Sequence, residues 1–200
     1  MSQFFSLIGN IVVIAVIITY FRQVRNGDST PNPATWLLWV IVSLMNAVSY
    51  FIVVQEDIWQ SLIVIITTIG LTGIFGYAAF TGKFRSIGAT EKVCFGLAIM
   101  VGVLWKATGS AIIANLSLQI IFAISFWPTV RGLLTHELTE NKALPWNLAV
   151  ISYFFVTLGV LTAEPFNWVA LGFPIVNGLL GNGSVALIIH LQKKGILKRI

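Results

Sequence analysis

The sequence predicts an all-α integral membrane protein: seven transmembrane helices in a 3+1+3 order, two parallel triple-helix bundles joined by a linker helix. Three observations predict it. Long apolar stretches recur through all 200 residues, most of them near the roughly 20 residues a helix needs to cross about 30 Å of hydrocarbon. Nearly every charge lies between those stretches. The chain is 57% apolar and only 10% charged, against about 25% charged in a soluble domain. The chain also resembles itself at a spacing of 106 to 110 residues.

The first span, 4–21, follows Met1-Ser2-Gln3, which is not a basic leader, and Arg22 and Arg25 come after the apolar run. With no small-x-small cleavage site behind it, it reads as a retained helix. The second, 34–54, carries Ser43, Asn46 and Ser49; the third, 58–80, carries Thr67, Thr68 and Thr72 beside Gly70, Gly73 and Gly76. The fourth, 93–105, is short between Glu91 and Lys106, so it needs those flanks to snorkel to the interface. Cys94, the one cysteine, reads as a small apolar residue there. The fifth, 111–127, stops at Pro128. The sixth, 146–163, holds Ser152, Tyr153 and Thr157. The seventh, 167–191, holds Pro174, Asn177 and Asn182 among Gly172, Gly178, Gly181 and Gly183, with His190 in its last turn. Trp36, Trp39, Trp59, Trp146 and Trp168 fall near span ends, the pattern of an aromatic belt at the headgroups.

Loop charges set an expected orientation. Of the 12 Lys and Arg, all but Lys106 fall on one side of a seven-span chain. Basic residues mark the cytoplasmic side, so the N-terminus is expected outside and the C-terminus in the cytoplasm. Lys83, Arg85 and the pairs Lys193-Lys194 and Lys198-Arg199 belong to this set; the pairs also suit anionic membrane lipid. The net charge of +5 does not point to nucleic acid, because the basic residues sit singly or in pairs beside apolar spans.

The repeat gives the domain plan. Ile18-Thr19-Tyr20-Phe21-Arg22-Gln23-Val24-Arg25 matches Ile124-Ser125-Phe126-Trp127-Pro128-Thr129-Val130-Arg131, and Thr35-Trp36 matches Pro145-Trp146. Glu56-Asp57-Ile58-Trp59 then matches Glu164-Pro165-Phe166-Asn167-Trp168. Residues 1–82 form a first three-helix unit, 83–108 a linker helix, and 109–200 a second unit with a basic tail. Three spans invert the direction of the chain, so one extra span restores a like orientation. Parallel repeats of this kind carry a site between them near the midplane.

This plan, with a Pro-Gln-like signature ending the first helix of each unit, resembles the PQ-loop and SWEET superfamily of seven-helix transporters. The signature reads Arg22-Gln23 in the first unit, keeping the glutamine, and Pro128-Thr129 in the second, keeping the proline. The resemblance implies alternating access by rocking, with Pro128 and Gln23 at the hinge positions. It also implies a solute held by residues of the third and seventh helices. Aligning Trp59 with Trp168 sets Thr68 opposite Asn177.

The residues themselves point the same way. No Asp, Glu, Lys or Arg falls inside the seven spans, and such groups mark proton relays and ion paths. An uncoupled facilitator of a small neutral polar solute, sugar-like by resemblance, is therefore expected. Asn177, Thr68, Asn46 and Tyr153 are the expected solute contacts, with Pro174 bending the helix before Asn177. The other reading of these amides is interhelical bonding that holds the bundle together. The alternative function is a non-transporting receptor or assembly protein on the same scaffold, using Glu56, Asp57 and Glu164 on the outer side. No catalytic constellation, metal-ligand spacing or cofactor loop is present in the sequence, so an enzyme is not expected. The short loops suit a cell membrane of the bacterial inner type, and a homo-oligomer is compatible with them.

Overall fold

The computed structural model describes residues 1–31, 33–81, 87–135, 138 and 140–197. Lys83, Arg85, Lys198, Arg199 and the expected boundary at 82 lie outside them. Among the described residues the fold is helical: α1 Ser2–Asn26, α2 Pro33–Val53, α3 Ile58–Phe80, α4 Ala89–Thr108, α5 Ala111–Ser125, α6 Trp127–Leu134 and α7 Leu144–Leu161. A 3₁₀ turn, Trp168–Leu171, and a π-helical segment, Pro174–Asn182, then lead into α8, Gly183–Lys193.

Among the described residues six stretches are long and apolar enough to cross a membrane: Ser2–Asn26, Ala34–Val53, Ile58–Phe80, Ala111–Leu134, Leu144–Leu161 and Trp168–Lys193. Helix α4 is not among them. It is 20 residues long, but Glu91, Lys92 and Lys106 dilute its apolar run. The short fourth span expected from sequence is thus a full helix of lower hydropathy. Chemistry at the termini sets several helix limits. Asp57 caps α3 by accepting from the backbone N–H of Trp59 at 2.8 Å and of Gln60 at 3.3 Å. Gly27 and Gly109 end α1 and α4 in left-handed conformations, φ 76° and 66°, where a side chain would be strained.

The packing is inverted relative to a soluble protein. Ile11, Ile14, Ile18, Leu44, Val48, Ile52, Ile69 and Ile120 face outward. Meanwhile Asn10, Asn46, Ser49, Thr68, Asn115, Gln119, Ser152 and Asn177 are buried. An apolar exterior with hydrogen-bonded polar groups inside suits a lipid surround, where polar groups must find partners within the bundle. Helix α1 packs along α3 and α7, α2 along α3 and α5, and α7 along the π segment. Helix α4 rests on α5 and α2.

One end of the bundle gathers the basic side chains. The backbone N–H of Asn141 donates to the carbonyl of Asp28 at 2.9 Å, and Lys142 pairs with the Asp28 carboxylate at 2.6 Å. Gln192 donates to the Leu133 carbonyl at 2.9 Å, and Thr35 donates to Glu91 at 3.0 Å. The end of α1, the starts of α2, α4 and α7, and the ends of α6 and α8 therefore share a face that carries Arg22, Arg25, Lys92, Arg131, Lys142 and Lys193.

Candidate functional site

Helices α1, α2, α3, α5 and α7 and the π segment surround a cavity of about 80 Å3, where a single water needs roughly 10–15 Å3. Its wall is apolar at Val13, Leu71, Phe122 and Ala149, and polar at Thr67, Tyr153, Asn177 and Asn182. Asn177 Nδ2 donates to Tyr153 Oη at 3.1 Å, and Tyr153 Oη lies 3.4 Å from Thr67 Oγ1. A few placed polar groups on an apolar wall are the usual make-up of a small-molecule site.

The sequence builds this wall locally. Pro174 lacks a backbone donor and opens a π-helical stretch, a form frequently found at functional sites. Within it Asn182 Nδ2 donates to the carbonyl of Asn177, five residues back, at 2.7 Å. Gly178 faces Tyr153 so closely that an added Cβ would collide with the start of the tyrosine side chain. We expect Gly178→Ala to push the π segment off α7 and to lower stability by about 1–3 kcal/mol, read as a fall in melting temperature in detergent.

The expected site residues divide. Asn177 and Tyr153 meet at the cavity. Thr68 does not line it; its hydroxyl donates to the Val64 carbonyl of its own helix at 2.6 Å and reaches the Ser43 carbonyl at 3.3 Å. The neighbouring Thr67 takes the wall position. Asn46 also lies elsewhere: its Oδ1 accepts from Asn115 Nδ2 and from Gln119 Nε2, each at 3.0 Å. Asn115 donates as well to Ser49 Oγ at 3.2 Å. This amide cluster joins α2 to α5.

Pro128 sits in the first turn of α6, directly after the interruption at Phe126 that separates α6 from α5. Gln23 lies in the last turn of α1, which runs through it unbroken; its Oε1 accepts from Ser29 Oγ at 3.1 Å.

The aromatic belt needs correction. Trp59 and Trp168 are exposed, but Trp36, Trp39 and Trp146 are buried and line the cavity. Each of two indole N–H groups has found an internal partner: Trp39 donates to Ser125 Oγ at 2.8 Å and Trp146 to Glu140 Oε2 at 3.2 Å. With Tyr20 and Phe126 they cover the basic end of the cavity. Tyr20 stacks on Trp36 at 5.0 Å and meets Trp146 edge-on at 5.7 Å; Trp39 lies 5.1 Å from Phe126.

Behind this cover lies a residue that sequence reasoning missed. Glu140, in the connection before α7, is only 4% exposed. Its Oε1 accepts from Tyr20 Oη at 2.8 Å and its Oε2 from Ser29 Oγ at 2.8 Å. Burial pushes its carboxyl up to about 7, and the bonds from Ser29, Tyr20 and Trp146 pull less strongly the other way. The folded value lies above the ordinary 4.5, so the folded state binds the proton more tightly. Its contribution to stability is complete below about 4.5 and is lost as pH rises through about 7. The loss should be on the order of 3 kcal/mol at one unit per 1.4 kcal/mol. Melting curves between pH 4 and 8 should fall in the wild type relative to Glu140→Gln.

At the opposite end, a polar pocket is lined by Gln55, Asp57, Gln60, Glu164 and Asn167. Asp57 is committed to capping α3 and also accepts from Gln60 Nε2 at 2.9 Å. Asn167 donates to the Val53 carbonyl at 2.7 Å.

Fold and site define a class: a multi-helix protein, apolar enough to span a membrane six times, with a central cavity of mixed polarity. Comparison with protein-family models, curated proteins and solved structures gave no match.

Proposed function

We propose that the chain is an uncoupled facilitator of a small neutral polar solute, working by alternating access on a PQ-loop or SWEET-like 3+1+3 scaffold. The observation that carries this reading is the cavity itself, with Asn177, Tyr153 and Thr67 held on an otherwise apolar wall. An amide and two hydroxyls can both donate and accept, which matches sugar hydroxyls and offers nothing to a fixed charge.

The packing pattern supports two like-oriented units. Exchanging α1 with α5, α2 with α7, and α3 with the π segment maps the main contacts among these six elements onto one another. The α1–α7 contact becomes α5–α2, α1–α3 becomes α5–π segment, and α2–α3 becomes α7–π segment. Rocking would then open one end while the other stays covered, with the interruption at Phe126 and Pro128 as the flexible point. The basic face is placed in the cytoplasm by the positive-inside rule, and the host membrane is proposed to be a bacterial inner membrane.

The test is counterflow of labelled neutral monosaccharides and polyols into proteoliposomes. Neutral competitors are expected to suppress the signal and sugar phosphates to leave it intact. No exchange of any neutral polar solute would remove the proposal.

A further inference from the structure

The Glu140 carboxyl touches three elements that must part if the basic end of the cavity is to open: the end of α1 through Tyr20, the α1–α2 connection through Ser29, and the start of α7 through Trp146. Tyr20 and Trp146 are themselves cavity wall. Ser29 and Glu140 also form an isolated antiparallel bridge, so the backbone of the two connections is held at the same point.

The hydrogen bonds accommodate a neutral carboxyl. Ser29 Oγ lies 2.8 Å from Glu140 Oε2 and 3.1 Å from Gln23 Oε1. A hydroxyl has one proton to give. If Glu140 is ionised, Ser29 donates to it and Gln23 Oε1 loses its donor. If Glu140 carries a proton on Oε2, that proton goes to Ser29 Oγ and the Ser29 proton goes to Gln23, while Tyr20 and Trp146 still donate to the carboxyl. Every group is then paired.

The charged surroundings do not oppose this. From α1, Arg22 and Arg25 are exposed, as is Arg131 of α6. Lys142, on the same connection as Glu140, is taken by Asp28. Tyr20 is the titratable group in direct contact, and it donates. Among the described residues no cation pairs with Glu140; His136 lies outside them.

We infer that Glu140 is a proton-binding site that gates the basic end of the cavity: the closed end holds a proton there, and opening hydrates the carboxyl and releases that proton to the same face. The inference deepens the transport reading and rests on it for what passes, but the gate can be read without flux. No net proton movement accompanies the solute.

The sign follows from linkage. The buried carboxyl titrates at about 7 against an ordinary 4.5, so the closed end is the state that acid favours. The open-to-closed ratio should rise about tenfold per pH unit between about 4.5 and 7 and level off above. Acidification of the basic face therefore shuts the path.

The test uses the full chain in nanodiscs, carrying Cys94→Ala and Ala149→Cys, and measures labelling of the cavity cysteine by a membrane-impermeant maleimide from pH 5 to 8. Rates are divided by those of the same protein carrying Glu140→Gln, which cancels the titration of the thiol. The expected ratio climbs about tenfold per unit to near pH 7 and then flattens. Tyr20→Phe, which removes a bond favouring the charged form, should move the plateau to higher pH, and it serves alone if Glu140→Gln does not assemble. A ratio flat with pH, or one that climbs on acidification, overturns the gate and leaves the transport reading standing. No labelling at any pH in either protein overturns both.

Discussion

Gly9→Val should destabilise the protein by about 2–4 kcal/mol, because it drives a side chain into a place where two helices already touch. A Cβ on Gly9 would lie 2.6 Å from Val156 Cγ2 and 2.9 Å from the Ser152 carbonyl oxygen. The second of these is backbone, so no rotamer change relieves it. The same contact holds a hydrogen bond from Ser152 Oγ to the Gly9 carbonyl at 2.8 Å. One turn away, a Cβ on Gly159 would lie 2.6 Å from Ser6 Oγ. Ser6, Gly9, Ser152 and Gly159 thus form a seam of small residues along α1 and α7. In lipid, burial of apolar surface gives no drive for helices to associate, so close packing of this kind carries the assembly. Unfolding of micelle-embedded protein by titrated dodecyl sulfate would read the loss. Ile14→Val, at an outward position on α1, should stay within about 0.5 kcal/mol.

Much of this fold was legible because lipid imposes a simple rule on sequence. Spans of the right length, separated by charged connections, predict the six long apolar helices, and the dilution of the fourth by Glu91 and Lys106 marks the helix that fails the apolar test. Pro128 and Pro174 each stand at a break in helix regularity, as a missing backbone donor requires. Asn177 and Tyr153 were legible because mid-depth polar groups must face a partner or a cavity.

What stayed hidden depends on helix rotation, which composition does not encode. Thr67 and Thr68 are adjacent and chemically alike, and only packing decides which faces the cavity. Asn115 and Gln119, four residues apart in an apolar span, carried a readable signal of a buried amide stripe that pairs with Asn46. Trp36, Trp39 and Trp146 sit at span ends like belt residues, yet they turn inward: Ser125 and Glu140 offer acceptors to Trp39 and Trp146, and Trp36 stacks on Tyr20. Glu140 stands in a polar connection, where an acid is ordinarily solvated; nothing in its neighbours by sequence shows that Ser29, more than a hundred residues earlier, folds over it.

The largest functional effect is expected at Asn177. Its amide donates to Tyr153 Oη, and the pair is the most polar part of the cavity wall. Asn177→Ala removes an amide that can meet two solute hydroxyls, each bond being worth about 0.5–1.5 kcal/mol. Exchange should therefore fall about tenfold or more, since 1.4 kcal/mol is one factor of ten. Tyr153→Phe, which removes the acceptor of the same bond, should fall in the same direction by a smaller factor. Thr68→Val alters a hydroxyl bonded to its own helix and should leave exchange within about twofold.

Initial counterflow rates of a neutral sugar in proteoliposomes, compared among wild type, Asn177→Ala and Thr68→Val at matched protein content, test the role of the cavity most directly. A loss of about tenfold confined to Asn177→Ala is the result this account predicts. Equal rates in all three proteins would contradict it.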